Sequence, residues 1–163
     1  MTWEKARVPV LDVLKWVCLA LILVLVYRLS AQGRESQTEF SVMAETVTAA
    51  VDMTEVQEAD NQMVKRLYGL DPGDYEGVLL YYPTTNMGAE ELLLVKLSDV
   101  SQQDTVAAAM EARVASQMAV FEGYAPKQYD MLQRSVIERQ GNYLLLVVAE
   151  DPEPVRQAFL GGL

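Results

Sequence analysis

The 163-residue chain contains no histidine and a single cysteine, Cys18. Without imidazole there is no histidine-based triad, no histidine general base and no histidine-ligated metal centre. One cysteine excludes an intramolecular disulfide framework and a cysteine zinc site. Basic charge is scarce as well: 13 Lys plus Arg stand against 23 Asp plus Glu, a formal −10. The clustered cations of a nucleic-acid binder are therefore missing, and no nucleic-acid partner is expected. G-x-x-x-x-G-K, G-x-G-x-x-G and G-x-S-x-G patterns are absent too, so nothing points to a phosphate cradle or a nucleophile elbow. No catalytic residue, cofactor or metal site is assigned.

What is present is unevenly placed. Residues 1–34 carry five basic and two acidic side chains, net +3; residues 35–163 carry eight and 21, net −13. The apolar content breaks at the same place. Trp16 to Tyr27 reads WVCLALILVLVY, without charge or breaker. A helix apolar all round is either a buried core helix or a membrane span. Extending the run to 13–29 reaches the short end of a spanning helix, flanked by Lys15 and Arg28, whose long side chains can snorkel to the headgroups. Trp16 and Tyr27 then stand where an aromatic belt would place them. The rival is a cleaved signal ending at Ala31, but Leu29 and Arg28 fit the small-residue cleavage rule poorly. Cys18 reads as an apolar residue within the span, with S-palmitoylation as the alternative. The expected layout is a short cytoplasmic tail over 1–12, a single-pass anchor in the lipid bilayer over 13–29, a linker over 30–38 and an extracytoplasmic domain over 39–163. That places the protein in the plasma membrane, N-terminus inside and domain outside.

The domain alternates helical and strand patterns. Phe40, Met43, Val47 and Val51 recur at helical spacing, and Met63, Val64, Leu67 and Tyr68 mark a second helix stopped by Gly69. Asp71-Pro72-Gly73-Asp74 is a turn. Tyr75–Tyr82 and Leu92–Leu97 are strand candidates. Ser101-Gln102-Gln103-Asp104 has the form of a capping box opening the longest helix, with Val106, Met110, Val114, Met118 and Phe121 on one face. A short helix over Pro126–Leu132 follows. Ser135–Arg139 and Tyr143–Ala149 form a second hairpin about Gly141-Asn142, and Asp151-Pro152 opens the last helix. The expected fold class is α+β: a four-stranded, mainly antiparallel sheet of two β-hairpins with helices packed on one face.

Three stretches of this domain carry a resemblance: Ala89-Glu90-Glu91-Leu92-Leu93-Leu94-Val95-Lys96-Leu97, Gly123-Tyr124-Ala125-Pro126 with the helix after it, and Gly141-Asn142-Tyr143-Leu144-Leu145-Leu146-Val147-Val148 with Asp151 beyond. Together these cover most of residues 75–160. The chain resembles the uncharacterised bacterial extracytoplasmic family known as domain of unknown function 4358. The resemblance implies an outward-facing domain at the cell surface, in a family associated with genes for membrane-bound O-acyltransferases and surface-glycan modification. Many members look like lipoproteins; here Cys18 lacks the small residues of a lipobox, and a helical anchor stands in for the lipid. The family brings no known catalytic residue.

Without histidine, an enzyme would need carboxylates, Ser/Thr with Lys, or a metal held by oxygens. Glu90-Glu91 at a strand opening is the most attractive pair, yet neighbours on a strand face opposite sides and share a proton poorly. Asp71, Asp74 and Glu76 offer oxygen ligands but not the twelve-residue calcium loop, and turn chemistry accounts for them. Tyr75, Tyr81, Tyr82, Tyr124, Tyr129 and Tyr143 lie in or beside the sheet, where packing explains most. Exposed tyrosines also suit sugars and protein partners. Glu91, Tyr124 and Tyr143 are accordingly the candidate interaction surface. The expected function is a non-enzymatic binding or accessory subunit at the bacterial cell envelope, with a protein or glycan partner such as glycan-modifying machinery. The alternatives are a carboxylate-dependent envelope enzyme and a membrane-anchored sensor.

Overall fold

The computed structural model describes residues 13–23, 36–52 and 54–163, in two units divided between Arg34 and Glu35. In the first unit residues 13–23 form a helix, α1, which includes Lys15 and Trp16 and leaves its apolar side chains exposed. Eleven residues rise roughly 16 Å, about half of a hydrocarbon core. Among the described residues, no helix is long and apolar enough to cross a membrane. The rest of the expected span, with Tyr27 and Arg28, lies outside the described residues.

The second unit runs α2 (Phe40–Thr48), β1 (Val56–Glu58), α3 (Asn61–Tyr68), β2 (Gly77–Pro83), β3 (Glu91–Lys96), α4 (Gln103–Phe121), α5 (Pro126–Gln133), β4 (Val136–Gln140), β5 (Tyr143–Val148) and α6 (Glu153–Gly161). The described residues thus form a mixed α+β domain on an antiparallel sheet. It has five strands rather than four, in the order β1-β2-β3-β5-β4. The additional strand is β1, which pairs Val56, Gln57 and Glu58 with Pro83, Tyr82 and Tyr81.

The helices cover both faces of the sheet, not one. Leu93, Val95, Leu144 and Leu146 meet Val64, Tyr68, Val106 and Met110 of α3 and α4, with Met131 and Leu132 of α5. Leu92, Leu94, Leu145 and Val147 meet Met43 and Val47 of α2 and Val155 and Phe159 of α6. Side chains alternate faces along a strand, so central strands buried on both sides must be apolar at every position. Leu92–Val95 and Tyr143–Val148 obey that rule without a break.

Local signals fix the joints. Gly69 ends α3 in the left-handed region at φ 70°, and its N–H donates to the Lys65 carbonyl. Asp99, rather than Ser101, begins the capping box. Its carboxylate accepts from the Ser101 N–H at 2.7 Å, and Gln102 Oε1 returns to the Asp99 N–H at 3.1 Å, closing a 3-10 turn over Val100–Gln102 that leads into α4. In the β4–β5 turn only Gly141 has positive φ, 58°, as in a type II′ rather than a type I′ hairpin.

The chain from Ser36 is tied to one end of the sheet. Ser36 N–H donates to Asn142 Oδ1 at 2.9 Å, Thr38 Oγ1 to the Gly162 carbonyl at 2.8 Å, and the Tyr143 hydroxyl to the Thr38 carbonyl at 2.8 Å. Asn142 is buried, so these bonds satisfy polar groups that water does not reach freely.

Candidate functional site

Glu91 opens β3 with the same facing as Leu93 and Val95, towards α3 and α4. Its residue exposure is 3%. A carboxylate there requires a partner, because burying an isolated charge is very unfavourable. Arg113 of α4 supplies a two-pronged one: Nε lies 3.0 Å from Oε1, and Nη2 lies 2.8 Å from Oε2. Tyr68, the last residue of α3, donates its hydroxyl to Oε1. Three elements are therefore cross-linked through one carboxylate. Burial, and then the charge of Glu91, push the Tyr68 phenol well above its ordinary value, so it stays a donor.

Glu90 takes another direction. It is half-buried, and its Oε2 accepts from the Ala89 N–H at 2.9 Å. The two adjacent carboxylates have separate tasks, as strand geometry requires.

Beside them opens a cleft of about 520 Å3 at the end of the sheet where β1 and β3 begin and β5 finishes. Val56, Leu92, Val148, Ala149 and the Tyr81 side chain give it apolar lining. Asp52, Glu55, Glu90, Glu150 and Asp151 surround it with carboxylates. Lys127 of α5 is the one cation among the described lining residues, and it is paired with Glu150. Its ammonium is held above the ordinary range, first by Glu150 and further by the charges of Glu90 and Glu55. Asp52 and Glu150 are displaced below the ordinary carboxylate range, Asp52 by its bonds to Thr54 and Glu150 by Lys127. Among the described residues, no group of three or more Cys, Asp or Glu side chains is placed to hold a metal ion.

The structure does not bring the sequence-derived interaction residues together. Glu91 is buried and committed to Arg113 and Tyr68, although it reaches the cleft wall. Tyr143 is fully buried on the opposite face of the sheet, edge-on to Phe159, with Lys96 Nζ 5.7 Å from its ring centroid. Its apolar ring and satisfied hydroxyl make it a core residue rather than a surface one. Tyr124 alone of the three is exposed, at 55%, just beyond the end of α4. Asp71 is used within its turn, accepting from Gly73 N–H and pairing with Lys65 at 2.6 Å.

Among the residues that the sequence did not single out for a site are Tyr68, Arg113 and Lys127. Arg113 did carry a signal: it is the one basic residue of α4 and stands three positions after the buried Met110, on the same helical side. Lys127 had none, since its role follows from tertiary placement beside Glu150.

Neither the curated proteins nor the solved structures contain a match to this chain. One family does match, over residues 49–149, a segment that contains Tyr68, Glu91, Arg113, Lys127 and most of the cleft. On that match the chain belongs to the family described as a domain of unknown function (DUF4358).

Proposed function

We propose that this protein is a membrane-tethered, extracytoplasmic binding subunit that presents its cleft to a partner at the cell envelope. The observation that carries this reading is the position of the cleft. The chain enters the domain at the start of β5, through Ser36 and Thr38, and the cleft lies beyond its other end. The strand between them spans roughly 17 Å. A tether at one end and a recognition cavity at the other suit a domain that reaches away from its attachment. The apolar run over 13–29 and the net +3 of residues 1–34 support the tether.

Two of the cleft carboxylates are poorly suited to acid catalysis. A carboxylic general acid needs its proton affinity raised, whereas Asp52 and Glu150 are both displaced downward. The association with glycan-modifying machinery belongs to the same proposal and rests on the family resemblance alone.

Two arms test it. In intact cells, Thr85→Cys in a Cys18→Ala background should react with an impermeant maleimide, and protection until lysis would overturn the outward topology. A photo-crosslinking residue at Glu55 should give a discrete adduct that one placed at Gln140, at the other end of the sheet, does not. Equal labelling from both positions, or turnover of acylated or glycosidic substrates that Glu91→Gln abolishes, would overturn the binding reading.

A further inference from the structure

We propose that the outer edge of β4 takes an extended, basic segment of a partner protein as a sixth, antiparallel strand. This surface is separate from the cleft and goes beyond the reading of it given above.

The first argument is which backbone groups the edge leaves open. β4 is the last strand of the sheet and pairs only with β5. The Asn142 carbonyl accepts from Leu97 N–H at 2.7 Å, so from there the even-numbered positions turn to β3 and the odd-numbered ones to β4. Gln140, Glu138 and Val136 lie opposite Tyr143, Leu145 and Val147 and exchange their hydrogen bonds with them. Ile137 and Arg139 therefore turn N–H and C=O away from the sheet, and no described residue pairs with those four groups. Proteins ordinarily blunt such an edge with a proline, a bulge or a very short strand. Val136–Gln140 has no proline and keeps unbroken register over five pairs, whereas the opposite edge, β1, is three residues long.

The second argument is charge. Charged side chains guard an edge when they project from it, but those of β4 are drawn back onto the helices. On one face Arg139 is shared by Glu111 at 2.8 Å and Asp104 at 3.5 Å, both of α4. On the other, Arg156 of α6 is shared by Glu138 at 2.7 Å and Glu153 at 3.3 Å. Each face thus sets two carboxylates against one arginine, an excess of one negative charge. β5 does not relieve it, since Leu145 and Leu144 stand opposite Glu138 and Arg139. An incoming strand does. A lysine or arginine opposite Glu138 makes a cross-strand ion pair, and a branched apolar residue opposite Ile137 extends the α3–α4 core against which Ile137 already packs. Backbone hydrogen bonds supply the attachment, and these alternate side chains supply the choice of partner. The pairing starts opposite Arg139, because Gln140 is spent on Tyr143 at the turn.

The alternation of the edge gives the test its sign. The full chain in lipid nanodiscs is titrated with the fluorescein-labelled peptide Thr-Lys-Ile-Val-Thr-amide, read by anisotropy, with its Lys opposite Glu138 and its Ile opposite Ile137. Saturable binding is expected. Methylating the peptide nitrogen of Ile, which faces Ile137, should weaken it at least about fivefold, whereas methylating that of Lys, which faces away, should not. Replacing the peptide Lys by Glu should weaken binding about fivefold, and Glu138→Gln should erase the difference between Lys and Gln peptides. Ile137→Pro removes an N–H that β5 does not use, and should abolish binding while far-ultraviolet circular dichroism is kept. The methylated peptides probe the same bond in the unaltered protein, so they decide the question even if I137P misfolds. No saturable binding, or equal affinity of the two methylated peptides, would overturn the inference. So would self-association of the chain that I137P abolishes, which would make a second copy the occupant. Crosslinking from Glu55 in cells is expected to be the same in I137P, so failure at this edge and failure of the cleft reading are distinguishable.

Discussion

At the residue scale, the fold depends on a charge it has chosen to bury. Removing Arg113 leaves the Glu91 carboxylate without its cation in a site with 2% side-chain exposure. Arg113→Ala is expected to cost about 3–5 kcal/mol in equilibrium denaturation. The double variant E91M/R113M should recover much of that, because it removes both desolvation penalties together. A double variant as unstable as R113A would show that the pair contributes through packing instead. Tyr68→Phe removes a hydroxyl that serves a charged acceptor and should cost about 1.5–3 kcal/mol in the same measurement. One of the three members of this cluster was legible in the sequence: Glu91 stood out as an acid at the mouth of an apolar strand. Its partner did not, because the pair is 22 residues apart and joins a strand to a helix. No local periodicity encodes which side of α4 will lie over β3.

At the element scale, the longer and more apolar pieces were readable, and the exceptions have physical causes. β1 is three residues long, and two of them, Gln57 and Glu58, are polar. Neither alternation nor β-propensity can show in so short a segment; its pairing with β2 makes it a strand. The placement of helices on both faces was in principle visible, since Leu92–Val95 and Leu144–Val148 leave no polar position for a solvated face. Strand β2 shows how tightly those layers are joined. A Cβ on Gly77 would lie 2.4 Å from the Phe40 ring of α2. Gly77→Ala should therefore displace Phe40 and lower stability by about 1–3 kcal/mol. Adding Phe40→Leu should restore part of the loss, and strict additivity of the two changes in denaturation midpoints would refute the contact.

At the scale of the whole molecule, its limits of stability in pH follow from groups the fold has displaced. On the acid side, Asp71 and Asp99 lie below their ordinary value of 3.8, Asp71 chiefly through Lys65 and Asp99 through Ser101. Their contribution is present above that value and lost as pH falls through the lowered one. The alkaline limit is the more distinctive. Burial, and then the charge of Glu76, push the Tyr143 phenol from about 10 up to about 12, and Tyr68 is raised as well. A phenol raised in the folded state favours folding below its unfolded value; that stability is lost as pH rises from about 10 through the folded value. The domain's −13 charge acts in the same direction, since self-repulsion grows as lysines lose their protons. Both tryptophans, Trp3 and Trp16, precede the domain, so phenolate absorbance reports the domain without tryptophan changes from within it. The expected titration has a late phase, coincident with loss of far-ultraviolet circular dichroism, in which the buried phenols ionise as the sheet opens. Tyr143→Phe should remove one phenol from that phase and make stability fall less steeply between pH 10 and about 12. It should also lower stability at neutral pH, because the Thr38 carbonyl loses its donor. A variant with an unchanged late phase would mean that Tyr143 titrates from an open state, and that the bond holding the incoming chain to β5 is not closed in solution.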